Sequence, residues 1–163
     1  MPHAITALIL PGPIDTDAVH TWDLVPVPLN NGLTLFHLTH YYTAYWQAVH
    51  GVTDRFDLPR QAPGLFPSEG VIATIAADLS ARTDPTFALV FTDYFGGVGE
   101  QWAAVSNDGR AVRSVNTINE ALRAIGIIAA PGSDEFDTTG LADHRSTPDY
   151  LERYVDLCDE LGV

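Results

Sequence analysis

The stretch Thr92-Asp93-Tyr94-Phe95-Gly96-Gly97-Val98-Gly99-Glu100-Gln101-Trp102-Ala103-Ala104-Val105 constrains this chain more than any other. An apolar run enters three glycines within four residues, and a second apolar run, headed by an aromatic, leaves them. Glycine adopts backbone angles that side chains forbid and lets a strand or ligand come close. The segment reads as two strands joined by a wide hairpin connection or a bulge.

Other segments follow the same logic. Ile5 to Leu10 is a short apolar run stopped by Pro11-Gly12-Pro13, as a buried strand would be. Asp23 to Leu29 and Leu33 to Leu38 flank Asn30-Asn31-Gly32, a strong hairpin signal. Pro26 and Pro28 cannot donate ladder hydrogen bonds, which places that strand at an edge. A further turn is expected at Asn107-Asp108-Gly109, leading into a strand from Ala111 to Val115.

Residues 40–49 carry two periods. Tyr41, Tyr42, Tyr45, Trp46 and Val49 fit one helix face, whereas the aromatic and β-branched content favours strand; helix is preferred. A second helix runs from a Ser68-Glu69 cap through Arg82, with Val71, Ile72, Ile75, Ala76 and Leu79 on its inner side. Thr117 and Glu120 have capping-box spacing for a third, ending at Gly126. An irregular acidic loop from Pro131 to Arg145 precedes a last helix. Thr147 caps it, Pro148 opens it, and Tyr150, Leu151, Tyr154, Val155, Cys158 and Leu161 form its inward stripe. Hairpins without βαβ repetition predict an α+β fold over residues 1–163. It consists of a mainly antiparallel sheet of about five or six strands packed against three or four helices.

At 163 residues, 46% hydrophobic and 18% charged, the chain suits one domain with one sizeable core. No apolar run approaches the roughly 18–20 residues that span a bilayer. The start of the chain lacks a basic, apolar leader, so a soluble cytoplasmic protein is expected, with no membrane partner. One cysteine excludes an intrachain disulfide and any multi-cysteine zinc site.

The net charge is −13, and all eight basic residues are Arg. Absence of Lys beside abundant Ala, Gly and Pro points to GC-rich coding and a bacterial source. From Asp134 onward there are nine acids and two Arg, a net −7. Such a chain repels nucleic acid and anionic lipid and attracts a basic partner.

No chemical signature is complete. Gly96-Gly97-x-Gly99 matches neither a dinucleotide fingerprint nor a phosphate loop, because no Lys follows and a strand comes next. His37 and His40, with Asp93, could supply a metal only if the two histidines shared a helix face. On a strand they point apart. No nucleophile elbow exists, and the many acids suit a solvated surface better than a catalytic pair. No catalytic residue, metal or cofactor is expected. The candidate ligand-binding residues are His37, His40, Asp93, Tyr94, Gln101 and Trp102, with Gly96, Gly97 and Gly99 as a backbone loop.

Tyr94-Phe95-Gly96-Gly97-x-Gly99-x-Gln101-x-Ala103 resembles the glycine hairpin of small bacterial proteins without assigned activity. In size and charge alone the chain resembles small acidic immunity proteins, which neutralise toxins. The leading expectation is therefore an acidic, immunity-like interaction module that binds a basic protein partner. The alternative is a small-molecule-binding protein or enzyme with a pocket near the Asp93–Gln101 hairpin; a third is a structural subunit of a homo-oligomer.

Overall fold

The computed structural model describes residues 2–59, 62–107 and 111–163. Asp108 and Gly109 of the expected Asn107-Asp108-Gly109 turn lie outside them. Six strands form one antiparallel sheet in the order β2-β3-β1-β4-β5-β6. They are β1 (His3–Pro11), β2 (Val27–Pro28), β3 (Leu33–His37), β4 (Phe87–Phe95), β5 (Val98–Ser106) and β6 (Arg113–Val115). With its helices the sheet makes a single-domain α+β fold.

The central strands β1 and β4 are covered on both faces, which is why their sequences read as continuous apolar runs rather than alternating ones. One face of the sheet carries Leu8, Leu10, Phe36, Phe87, Leu89 and Phe91. It packs against α1 (Thr16–Thr21), α2 (His40–Val49), α3 (Val71–Ser80) and α6 (Arg153–Leu161). The other face carries Ile5, Ala7, Ile9, Leu35, Val90, Ala103 and Val105. It packs against α4 (Ile118–Ala124) and the segment holding α5 (Glu135–Thr139). We call these the α3 face and the α4 face.

Val27 and Pro28 pair only with β3, so the proline-bearing strand is an edge. It is much shorter than the expected 23–29, because the chain turns at Asp23, whose φ is 57°. Asn31 and Gly32 both take positive φ in the connection to β3. Residues 40–49 are helical. Thr39 caps them by accepting from the Tyr42 N–H at 3.1 Å. The helix buries Tyr42, Thr43 and Gln47, and leaves Tyr41 and Val49 exposed.

Further expectations change. The glycine connection is not wide: Phe95 pairs with Val98, leaving Gly96 and Gly97 as a two-residue turn with φ of 60° and 80°. Ser68 and Glu69 do not cap α3. That helix starts at Val71, whose N–H is taken instead by the Gln47 side-chain oxygen at 2.9 Å. The acidic loop contains α5, capped by Asp134, which accepts from the Asp137 N–H at 2.8 Å. The last helix begins as a 3-10 turn, Asp149–Glu152, with Pro148 at its cap position and no side-chain cap from Thr147. In that final segment Leu151, Tyr154 and Cys158 face inward, whereas Val155 and Leu161 are exposed.

Candidate functional site

The β4–β5 register decides where the candidate residues go. Successive strand residues alternate faces, so Asp93 and Tyr94 point to opposite sides. Tyr94 and Gln101 lie on the α4 face, in the wall of a cavity of about 350 Å³ that also contains Gly97, His3, Asn119 and Arg145. Asp93 and His40 lie on the α3 face, in a depression of about 260 Å³ with Thr39, Phe91 and Leu65. Trp102 packs half-buried against the α3-face core, its indole N–H without a hydrogen-bond partner among the described residues. His37 is buried on the α4 face, three residues and a change of element away from His40. Tyr94 and Gln101 thus belong to one site and Asp93 and His40 to another, while His37 and Trp102 line neither. Among the described residues no group of three or more His, Cys, Asp and Glu is placed to hold a metal ion.

Gly96 and Gly97 form the exposed turn, and a side chain at either would meet nothing within 4 Å. Gly99 is different. A Cβ there would fall 1.9 Å from the Asp93 carbonyl oxygen, so this glycine is required by the hairpin's own close backbone approach.

On the α4 face, Gln101 is a brace. Its amide oxygen accepts from the Ile118 N–H at 2.8 Å, fixing the amide orientation, and its Nε2 then donates to the Tyr94 hydroxyl at 3.1 Å. Asn119 is held likewise: its oxygen accepts from the Phe136 N–H at 2.8 Å and its nitrogen donates to Asp134 Oδ2 at 3.2 Å. His3 Nε2 faces the Leu141 carbonyl at 3.2 Å, which can only accept, so Nε2 carries the proton. Nδ1 then accepts from the Thr92 hydroxyl at 2.7 Å. Burial holds His3 below the usual imidazole range, with the charges of Arg145 and His144 pushing the same way. His37 is pushed down to about 4 by burial, reinforced by His144 and His3. Its Nδ1 has no hydrogen-bond partner among the described residues.

On the α3 face a second depression, about 270 Å³, adjoins the first. Both share Thr39, His40 and Thr147 in their walls, so together they make one groove. It runs from Asp93, Phe91 and Leu65 at one end to Tyr41, Val155 and Glu152 at the other. Leu38 and Leu151, both buried, are part of its floor. Beyond Glu152 the outer side of α6 carries Asp156, Asp159 and Glu160, all exposed and without an ion-pair partner among the described residues.

Sequence reasoning passed over His3, Arg145, Asn119, Thr39 and Thr147 as site residues. His3 alternates in phase with Ile5, Ala7 and Ile9, a signal that would have extended the expected strand to include it. The others come together only through the packing of distant segments. No family model, curated protein or solved structure matches the chain. Among the described residues no helix is long and apolar enough to cross a membrane.

Proposed function

We propose that this protein is an acidic binding module that holds a basic segment of another protein in the α3-face groove, in the manner expected of an immunity-like protein. The observation that carries the reading is the groove's chemistry. It has an apolar floor, partly exposed anchors in Tyr41, Leu65 and Val155, and carboxylates at both ends in Asp93 and Glu152. A net charge of −13 speeds encounter with a cationic partner, and the unpaired acids of α6 extend the attraction past the groove. Tyr41 combines contact area with a hydroxyl, the combination that anchors many interfaces. The groove takes an extended segment; a stable complex, at roughly 1,200–2,000 Å² of buried surface, also needs contact along α6.

The test is retention of proteins on the immobilised chain at low salt, beside a Glu152→Lys/Asp156→Lys variant and a Tyr41→Ala variant. The retained proteins should be more basic than the lysate average, elute as salt rises, and be lost from the charge-reversed surface. Retention by both variants equal to that of the parent would remove the reading, as would partners no more basic than background.

A further inference from the structure

The cavity on the α4 face is separate from the groove, and its unused hydrogen-bonding capacity defines a ligand. We propose that it binds a small zwitterion of the α-amino-acid class, with an apolar side chain. Its volume of about 350 Å³ lies at the small end of the ligand-pocket range, roughly 300–1,000 Å³.

Most polar groups in the wall are already committed. Both ends of Gln101 and of Asn119 are hydrogen-bonded within the protein, and so are both ring nitrogens of His3. Beyond the second N–H of each of these two amides, three groups keep capacity. The Tyr94 oxygen accepts from Gln101, which leaves its O–H to donate. The Arg145 side chain has no hydrogen bond or ion pair among the described residues, although its charge is felt at His3. The Asp134 carboxylate accepts one bond at each oxygen, from the Asp137 N–H and from Asn119, and retains a second lone pair on each.

The site therefore offers a guanidinium and a phenol as donors and a carboxylate as acceptor. A simple anion would face Asp134, and a simple cation would face Arg145. A molecule carrying both charges satisfies both groups, its carboxylate on Arg145, where the planar fork suits bidentate pairing, and its ammonium on Asp134. Ile118, Phe136 and Ala142 supply the apolar wall for the side chain, and the Phe136 ring is itself held against His3 at 5.3 Å between centroids.

The probe is each proteinogenic L-amino acid in turn, followed by amide spectra of the isotopically labelled protein. L-leucine, N-acetyl-L-leucine and L-leucinamide form the decisive comparison. L-leucine or another apolar amino acid should move the Gly97 backbone signal and the Asn119 and Gln101 side-chain signals. Removing either charge from the ligand should weaken binding roughly tenfold or more. Arg145→Gln and Asp134→Asn should each do the same with the melting temperature little changed, since Asn can keep the helix cap and gives up only the exposed bond from Asn119. The ligand derivatives test the idea without any variant, should one fail to fold. Silence of those signals across the whole panel overturns the proposal. So does equal binding of the acetylated or amidated form, or full binding by Arg145→Gln. The α3-face groove is untouched by these changes, so the two readings fail separately.

Discussion

His37 is a buried imidazole with one ring nitrogen unpartnered among the described residues, and this gives the fold a pH dependence of definite sign. Its native value is depressed to about 4 from 6.5, so the unfolded chain binds the proton more readily. The stability it contributes is fully present above about pH 6.5 and is lost as the pH falls through about 4. The loss is on the order of 2–3 kcal/mol. His3 is depressed as well and adds to the same trend. Urea unfolding of the parent between neutral pH and pH 4 should show this decline, and His37→Gln should flatten it. Identical slopes would mean that the imidazole is not held neutral. The glycine hairpin gives a second contrast at this scale. Gly99→Ala puts a Cβ 1.9 Å from a backbone oxygen and 2.7 Å from the Tyr94 Cα, and should cost about 2–3 kcal/mol or more. Gly96→Ala meets no atom within 4 Å and bears only the strain of a φ near 60°, about 1–2 kcal/mol. Denaturant midpoints rank the two; the reverse order would make the turn, not the close backbone approach, the sensitive point.

At the scale of elements, two glutamines do what local caps usually do. Gln47, buried in α2, accepts from the first N–H of α3 and donates to the Asp54 carbonyl at 2.7 Å. Gln101, on β5, accepts from the first N–H of α4. Removing either leaves a helix N–H without its partner, so Gln47→Ala should cost about 2 kcal/mol and Gln101→Ala about 1–2 kcal/mol. Hydrogen exchange should accelerate at Val71 in the first variant and at Ile118 in the second; unchanged rates would show that solvent replaces the amide. These braces also explain what the sequence could reveal. Thr117 was legible as the α4 cap because its partner, the Glu120 N–H, is three residues away. Ser68 stands three residues before Val71, the same local spacing, yet the true brace of α3 comes from a residue 24 positions upstream. The strands of the sheet were legible from apolar runs and turn residues. Helix α5 was not, because five residues give no periodicity and its Asp134 cap sits among other acids. For the candidate site, strand alternation already separates Asp93 from Tyr94. The partners of each depend on which helix covers which face, and that is set by packing between distant segments.

For the molecule as a whole, charge is the dominant long-range term. The described ion pairs are Arg55–Glu69, Arg123–Glu135 and Arg153–Asp23, so three of the eight arginines take part in them. Tyr154 adds a 2.6 Å hydrogen bond to Asp23, tying α6 to the end of α1. The acids on the outer side of α6 have no such partner and repel one another as well as the rest of a −13 chain. Like-charge repulsion favours the expanded state, and salt screens it, with a Debye length of about 10 Å at 0.1 M. Raising sodium chloride from about 0.01 M to about 0.3 M should therefore raise the melting temperature, by about 3–6 °C if roughly 1–2 kcal/mol of repulsion is relieved. Asp156→Asn/Asp159→Asn should gain part of that increase at low salt and respond less to added salt. Ion pairs elsewhere act in the opposite direction, since screening weakens attraction too. A melting temperature that falls with salt would mean that those pairs outweigh the acidic surface. The α6 carboxylates would then be too well solvated to attract a basic partner over any distance, and the case for the groove would rest on its apolar anchors alone.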